Sequence, residues 1–344
     1  MFELKQSFLQ LNLRKNNFCV KNTLRLKNSL ESNLLFIKKI EYELYKYVEI
    51  LQIYKIEKSG KALSLIQTNH YSFVNKNTEF STKYLLNRKF DSYGCFLEIH
   101  SGTGGIESED WVKILYRMYT KWMEKSNLSY YVLYSSSGTS GGIKYIICKI
   151  ASANSYGRLK TENGVHRLIR ISPFNSKNKR HTSFASVTIF PILKRMSSVT
   201  INPVNLKFDS YRSSGAGGQH VNTTNSAIRI THIPTKIVAQ CQNNKSQHRN
   251  KEECLSILKA KLFCSNCKSD KLKNGINSKK SIIGWGNQIR SYVLYPYKVI
   301  KDLRSNFESK NIVSILNGNV DLFMVNILSL QNINKDIYSY DINC

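Results

Sequence analysis

Apolar residues recur at helical spacing through the first part of the chain. Lys, Glu and Asn mostly stand between them, and the repeat runs through Leu24, Leu30, Leu34, Ile37, Ile40, Leu44 and Val48. Residues 1–88 contain no Pro, and Gly60 is their single Gly. The pattern predicts a helical N-terminal domain over residues 1–88, folded as a bundle or a hairpin. No chemically notable set of side chains occurs in it, which favours a packing or docking role.

Near Asp91 the pattern changes to short apolar runs that are typical of strands. The predicted strands occupy 96–99, 130–134, 143–150 and 186–190. A glycine-rich turn is predicted at 101–105, and a further helix or turn at 165–169. An amphipathic helix is predicted from about Ser108, and its apolar face comprises Trp111, Ile114, Leu115, Met118, Tyr119 and Trp122. This mixture predicts an α+β fold.

A third region begins near Val204. We predict in it a short strand, a glycine-rich loop at 213–222, a hairpin at 227–242 turning at Pro234, and a basic helix at 251–263. A polar connection at 264–281, a strand at 291–294 and helices containing Leu303 and 312–316 are predicted to follow. The changes of pattern predict divisions of the chain at 1–88, 89–200, 201–280 and 281–330, followed by a disordered tail at 331–344.

The charge distribution indicates an RNA-facing region. The formal net charge is +28, although the many Lys, Asn, Ile and Tyr residues are also typical of an AT-rich genome. Between Asn163 and Lys251, Asp209 is the one acidic residue, with eight basic residues before it and six after it. Codon bias would not remove acids from one stretch, whereas neutralisation of phosphates would favour their absence.

Other function classes are disfavoured by the sequence. Cys264 and Cys267 have metal-ligand spacing, but no second pair completes a tetrahedral site, so no metal is expected. No apolar run approaches the roughly 20 residues that span a bilayer, and the N-terminus has no signal-peptide pattern. The scattered cysteines favour a reducing compartment. We therefore expect a protein of the cytoplasm, with an organelle of bacterial descent left open.

The segment 213–222, Ser-Ser-Gly-Ala-Gly-Gly-Gln-His-Val-Asn, has the sharpest chemistry. Its glycines allow positive φ and a close approach to a partner. It lacks the Lys-Ser/Thr ending of a phosphate loop, so no nucleotide cofactor is expected. Gln219 is a poor general base, yet it could position water or offer a backbone N–H to developing charge. The alternative is a flexible surface turn.

Two further segments carry candidate RNA contacts. In the first, Pro173 stiffens a loop, Ser172 offers a hydroxyl, and Phe174 and His181 offer faces on which bases can stack. The alternative there is a polar loop with a buried Phe. In the second, Gly102-Thr-Gly-Gly-Ile-Glu107 opens a helix whose free N–H groups can meet a carbonyl acceptor such as uracil. The alternative is an ordinary glycine turn followed by acids that favour a helix N-terminus.

Three collinear stretches, at 211–222, 226–234 and 242–251, resemble the catalytic domain of class I peptide chain release factors. Gly-Gly-Gln is the hallmark of that family, and the resemblance covers residues 90–325 well. It implies that Gly217 and Gly218 shape a loop that enters the peptidyl transferase centre. It also implies that the backbone N–H of Gln219 stabilises the leaving 3′ oxygen while its side chain orients water. The family's glutamine is commonly N5-methylated, so Gln219 is the expected target of a glutamine methyltransferase.

The Ser172-Pro173-Phe174 loop resembles the codon-reading loop of the release factor 2 branch, which implies reading of UAA and UGA. The hydroxyl of Ser172 would accept A or G at the second base. The resemblance further implies contacts of Ile169 and Thr182 with the third base and stacking of His181 between the second and third bases. Gly104 and Glu107 would read the first U through their backbone.

Two other features bear on the resemblance. Gly284-Trp-Gly-Asn-Gln-Ile-Arg-Ser-Tyr292 resembles a segment that rearranges on codon recognition, with Trp285 as the residue that stacks on decoding-centre RNA. The alternative is a core Trp beside a strand. At residues 134–137 this chain has Tyr-Ser-Ser-Ser where the family usually has acids, which puts fidelity in doubt but not the fold.

The resemblance implies a helical N-terminal domain at 1–88, an α/β codon-recognition domain at 89–200 that the C-terminal segment at 281–330 completes, and a small inserted α+β catalytic domain at 201–280. The resemblance also implies translation termination rather than an independent enzyme class. Its expected partners are the ribosome at its A site, decoding centre and peptidyl transferase centre, the mRNA stop codon and peptidyl-tRNA. A recycling GTPase is a further possible partner, and no membrane is expected. Two other functions compete: a rescue hydrolase that reads no codon, and a catalytically silent RNA-binding protein. The length and the 172–174 loop disfavour the first, and the intact glycine loop disfavours the second.

Overall fold

A computed structural model describes residues 17–57, 85–86, 88, 90–138, 141–175, 179–193, 201–213, 224–273 and 288–340. The chain divides into two compact units, residues 1–83 and 84–344. In the first unit the described residues form one helix, α1 (Asn17–Glu57). This confirms the helical character predicted from the leucine repeat. Whether α1 belongs to a bundle or a hairpin stays a prediction, because residues 58–84 lie outside the described ranges.

The second unit combines two sheets with helices, which confirms the α+β class. Its elements are β1 (Cys95–Ser101), α2 (Ile106–Lys125), β2 (Tyr130–Ser137), β3 (Ile143–Ile150), α3 (Ser155–Leu159), β4 (Gly164–Ile171), β5 (Arg180–Pro191), β6 (Leu206–Tyr211), β7 (Ala227–His232), β8 (Ile237–Cys241), α4 (Gln247–Lys273), β9 (Gln288–Val293), β10 (Val299–Asp302), β11 (Glu308–Ser309), α5 (Ile312–Leu316) and α6 (Asp321–Tyr340). The boundaries of the five predicted sequence divisions remain a prediction.

The large sheet is built from both ends of this unit. Its strand order is β11-β10-β9-β4-β5-β1-β3-β2, and the smaller sheet has the order β6-β7-β8. Neighbouring strands are antiparallel except β4 and β9, which are parallel. A parallel pair needs a long crossover. Here the crossover contains the smaller sheet and α4, so the C-terminal strands complete the large sheet after that insertion.

One face of the large sheet buries the amphipathic helix α2. The predicted apolar face of the helix is confirmed in the main, because Trp111, Leu115, Met118, Tyr119 and Trp122 are fully buried. Alternate residues of β1 meet this helix, as expected for a strand with a period of two. The indole N–H of Trp122 donates to Asp321 at 2.8 Å, and this bond ties α2 to α6.

The other face of the large sheet carries the smaller sheet and α4. Phe96, Leu133 and Ile147 of the large sheet share a core with Ile230 of β7 and Leu258 of α4. Two ion pairs cross the same boundary, Lys261–Glu98 at 2.8 Å and Lys149–Glu253 at 2.6 Å. The inserted domain is therefore held against the sheet by an apolar core flanked by charged contacts.

Four predicted elements are corrected by the structure. Residues 165–169 form strand β4 rather than a helix or turn, because they pair with β5 and β9. The basic helix continues to Lys273, so much of the predicted polar connection is helical. Leu303 lies in a turn after β10. The residue that follows it, Arg304, donates to the carboxylate of Asp302. The predicted tail is helical as far as Tyr340.

A buried charge network joins the turn just before β4 to the C-terminal strands β9 and β10. Arg290 donates to both carboxylate oxygens of Glu162 at 2.7 Å and to Asp302 at 3.3 Å. All three side chains are inaccessible to solvent. Tyr119 donates to Glu162 at 3.0 Å. Burial alone would raise the pKa of Glu162, but the charge of Arg290 outweighs it and lowers that pKa below its usual value.

His166 lies in the same network as a neutral imidazole. Its Nε2 is 3.1 Å from the carbonyl oxygen of Glu162 and its Nδ1 is 3.4 Å from the Tyr292 hydroxyl. Nε2–H therefore donates to the carbonyl, and Nδ1 can accept from the hydroxyl. Burial lowers the pKa of His166 to about 4. Protonation of His166 in the folded protein is thus unfavourable at any pH near neutrality.

We expect the free energy of unfolding to fall as the pH is lowered from about 6.5 to 4.5. In the unfolded chain His166 takes up a proton near pH 6.5, whereas in the folded protein it does not. The free energy of unfolding therefore falls by up to about 1.4 kcal/mol per pH unit. Urea denaturation at several pH values measures this slope. H166Q should flatten it, whereas H248Q, at a side chain that is 82% exposed, should not. Equal slopes in all three proteins would contradict the assignment. Below pH 4.5 protonation of Glu162 adds a further loss.

Candidate functional site

The predicted codon-reading residues lie at one end of the β4–β5 hairpin. Ile169 pairs with Thr182, and Arg170 pairs with His181. Residues directly opposite in such a pair share a face of the sheet. Ile169 and Thr182 are therefore neighbours on one face, and His181 lies on the face that carries α2. The two residues predicted to contact the third base are thus brought together.

The loop at the end of this hairpin is closed by Ser172. Its backbone N–H donates to Lys179 O at 3.2 Å, and its Oγ accepts from the backbone N–H of Phe174 at 3.1 Å. Ser172 is only 4% exposed, whereas Phe174 is 49% exposed and Pro173 is also exposed. The hydroxyl keeps its proton and a second lone pair for a partner. The exposed Phe174 ring excludes the alternative of a buried Phe.

His181 is half-buried beside this loop. Its Nε2 lies 3.2 Å from the side-chain amide nitrogen of Asn175. The amide N–H donates, so Nε2 accepts and the imidazole is held in one orientation. Residues 176–178, between Asn175 and Lys179, lie outside the described ranges.

The glycine-rich turn before α2 is attached to β5 beside the hairpin. Gly102 N–H donates to Phe184 O at 2.8 Å, and Phe184 N–H donates to Thr103 O at 3.3 Å. Gly104 and Gly105 have φ values of 135° and 57°, which favour glycine. Gly104 is exposed and lies against Ser183, the neighbour of Thr182. The predicted first-base residue is thereby placed close to the predicted third-base pair.

Arg170 was missed by the sequence analysis. Its Nη2 donates to Glu107 Oε2 at 2.9 Å and to Asp110 Oδ2 at 2.5 Å. Glu107 is therefore buried against an Arg of the reading strand while its backbone opens α2. The contact spans 63 positions of the chain, so no local spacing announces it. The clue available in the sequence was a basic residue between the apolar Ile169 and Ile171.

The predicted catalytic motif Gly217-Gly218-Gln219 lies outside the described residues. The described chain stops at 213 and resumes at 224, between β6 and β7. Asn250 is fully buried next to that point. Its amide donates to Ser226 O and to Asn244 O at 2.8 Å, and its Oδ1 accepts from the Asn244 N–H at 3.0 Å. The segment 242–251 thus fixes the start of β7, three residues after the described chain resumes.

Two other predicted features have the following positions. Trp285 lies outside the described residues, and β9 begins three residues later, parallel to the reading strand β4. Residues 134–137 belong to the edge strand β2. A carboxylate is nevertheless close to this edge, because the side chain of Glu109 fills the space beside Gly138 and Gly142.

Two family models together match most of the chain: the PCRF domain over residues 2–187 and the RF-1 domain over residues 194–304. Curated relatives include peptide chain release factor 2 of Paramagnetospirillum magneticum, 40% identical over 88% of this chain and 81% of that protein. Peptide chain release factor 2 of Helicobacter pylori strain 26695 is 43% identical over 90% of this chain and 84% of that protein.

A solved structure, RF2 of Thermus thermophilus, matches with a TM-score of 0.72 and 32% identity, over 96% of this chain and 94% of that chain. Among the described residues, no helix is long and apolar enough to cross a membrane. The resemblance carried by 211–222, 226–234 and 242–251 is confirmed by relatives that align over nearly the whole chain. The chain therefore belongs to the class I peptide chain release factor family, in which the relatives named above are release factor 2 proteins.

Proposed function

We propose that this chain terminates translation by reading UAA and UGA in the ribosomal A site and triggering hydrolysis of peptidyl-tRNA. The observation that supports this most directly is the placement of the glycine turn at Gly104 against Ser183, beside Thr182 on the reading hairpin. Residues that are far apart in sequence and predicted to read different bases thereby share one end of the sheet. The basic, acid-poor stretch 163–251 supplies the charge that RNA binding needs.

Each base would be read by a different chemistry. Backbone groups of Gly104 and Glu107 meet the carbonyl acceptors of the first U. The Ser172 hydroxyl donates or accepts, and therefore tolerates A or G at the second base. At the third base, Ile169 contributes an apolar side chain and Thr182 a hydroxyl. His181 stacks between the second and third bases. Pro173 and Phe174 shape the exposed tip of the loop.

The chemical step would be an ester hydrolysis within the peptidyl transferase centre. Water attacks the carbonyl carbon of the ester, the bond from that carbon to the 3′ oxygen of the tRNA breaks, and that oxygen takes a proton. The products are a free peptide carboxylate, a tRNA 3′-hydroxyl and the second proton of the water, which is released to solvent. Gly217 and Gly218 let the backbone approach, and the N–H of Gln219 donates to the developing negative charge. The ribosome supplies the remaining catalytic surroundings, so the chain has no independent enzyme class.

The partners and domains follow from this function. We assign 1–88 to docking, 89–200 with 281–330 to codon recognition, and 201–280 to catalysis. Trp285 would stack on decoding-centre RNA when the segment before β9 rearranges. A glutamine methyltransferase would modify Gln219, and a GTPase would recycle the factor. The reaction as written needs neither a metal nor a nucleotide, and it takes place in the cytoplasm.

Release of labelled formyl-methionine from programmed ribosomes tests the proposal. We expect release on UAA and UGA, with UAG and sense codons weaker by at least about tenfold, since one well-read base contributes about 1–3 kcal/mol of discrimination. Ribosomes without any codon in the A site provide the control. Equal release on UAG would refute the assigned base specificity. Release that needs no stop codon would instead identify a rescue hydrolase.

A further inference from the structure

Arg170 connects the two parts of the proposed reading surface. It follows Ile169 on β4 and precedes Ser172 by two positions, so its backbone belongs to the part that reads the second and third bases. Its guanidinium turns to the first turn of α2 and binds Glu107 and Asp110 at 2.9 and 2.5 Å. The Arg170 side chain is only 14% exposed, and that of Glu107 only 9%. A guanidinium and a carboxylate this well shielded from water interact more strongly than a surface pair.

The backbone between β1 and α2 has fixed and flexible parts. Gly102 and Thr103 are anchored to Phe184 of β5 by two backbone hydrogen bonds. Gly104 and Gly105, which follow, have left-handed φ values and no side chain to restrict them. Gly104 therefore lies between an anchored segment and the first turn of a helix, and Glu107 lies within that turn.

Farther along, α2 is fixed by its core. The indole N–H of Trp111 donates to His166 O at 3.1 Å, and the residues beyond it are packed against the sheet. Within the first turn, the Glu107 carboxylate depends on Arg170, because its other oxygen, Oε1, accepts no hydrogen bond from the described residues. Without that cation, Glu107 and Asp110 would face each other as like charges in one turn.

We propose that Arg170 is a positioning residue for the first base of the stop codon, an inference that rests on the proposed codon-reading function. It holds the first turn of α2, and with it the backbone of Gly104 and Glu107, in register with the β4–β5 hairpin. The residues that read the first, second and third bases then keep fixed positions relative to one another. A first-base reader that moved independently would accept C in place of U more readily.

The test compares selectivity at two bases in the same protein. Release is measured on UAA, CAA and UAG with wild type, R170M, R170K and the control K160M. Lys160 forms an ion pair of similar burial with Asp91 on another part of the unit, with side chains 12% and 1% exposed. For R170M we expect the UAA-to-CAA ratio of kcat/KM to fall about tenfold, the loss of one base-selecting contact. The UAA-to-UAG ratio and kcat on UAA should stay near wild type.

R170K should restore the UAA-to-CAA ratio towards wild type, because an ammonium can also donate to two carboxylates. K160M should lower thermal stability without changing either ratio. Unchanged ratios in R170M, or an equal fall in both, would overturn the proposal and leave Arg170 a purely structural role. If R170M does not fold, R170Q/D110N, which removes a carboxylate with the cation, is compared in the same way. A wild-type protein that releases equally on UAA and CAA would refute the proposed function itself.

Discussion

G218A is expected to reduce the rate of peptide release on UAA by about 10²–10³-fold, the loss that follows when a preorganised donor to developing negative charge is misplaced. Alanine adds a Cβ and disfavours positive φ, so the backbone at Gly218 can no longer approach the ester or aim the Gln219 N–H as glycine allows. The rate is measured in single-turnover release with the factor in excess over UAA-programmed ribosomes. Binding, measured by competition with the wild-type factor, should be unchanged because the codon-reading residues are intact.

S214A is the matched control for G218A, since it alters the same segment at a residue with no assigned role. It should release at nearly the wild-type rate. A G218A protein that releases normally would refute the catalytic assignment of the segment. A G218A protein that no longer competes for ribosomes would assign the segment to docking instead. Loss of release with retained competition also excludes a catalytically silent RNA-binding protein for the wild type.

Local chemistry was predictable from the sequence wherever the signal lies within a few residues. The hairpin turning at Pro234 is present as β7 and β8, and the strand at 143–150 has the predicted bounds. The apolar face of α2 was predicted because helical periodicity is itself a local property. The loop at Ser172 was singled out for the same reason, since its proline and aromatic residue are adjacent in the chain.

Contacts between distant segments could not be predicted. Residues 165–169 were predicted as a helix or turn but form part of strand β4. The strand is specified by partners elsewhere in the chain, and Arg290, which joins it through Glu162, is 128 positions from that carboxylate. The role of Arg170 towards Glu107 was hidden likewise. A single sequence shows that a charge is present within an apolar run but does not show which opposite charge accompanies it.

Helix ends were predicted too early where polarity was taken as a stop signal. In α4 no Gly or Pro occurs between Lys251 and Lys273, so nothing in the backbone ends the helix at Phe263. The predicted tail shows the same effect, because α6 continues to Tyr340 through residues that are polar but compatible with a helix. A polar helix is mistaken for a connection because amphipathicity, rather than helicity, gives the visible pattern.

R290M is expected to lower the free energy of unfolding by about 3–5 kcal/mol, the cost of breaking a buried ion pair from one side. The change leaves Glu162 and Asp302 without the guanidinium that they share, and both side chains are fully buried. Arg304 still binds Asp302 at 2.8 Å, so the uncompensated charge falls mainly on Glu162. Urea denaturation at neutral pH, followed by far-UV circular dichroism, measures the loss.

K301M is the matched control, because Lys301 lies on the neighbouring strand β10 and forms an ion pair with Glu308 at 2.7 Å. Those side chains are 40% and 50% exposed, so the control should cost less than about 1 kcal/mol. E162Q/R290M, which removes the stranded carboxylate as well, should recover part of the stability lost in R290M. If R290M cost no more than K301M, the buried ion pair would contribute little to holding β4 against β9. A large loss that the double variant reduces would mean that the C-terminal strand is locked to the reading strand by buried charge. The position of Ile169 would then depend on residues more than 120 positions away, because Arg290 lies beside the strand that carries it.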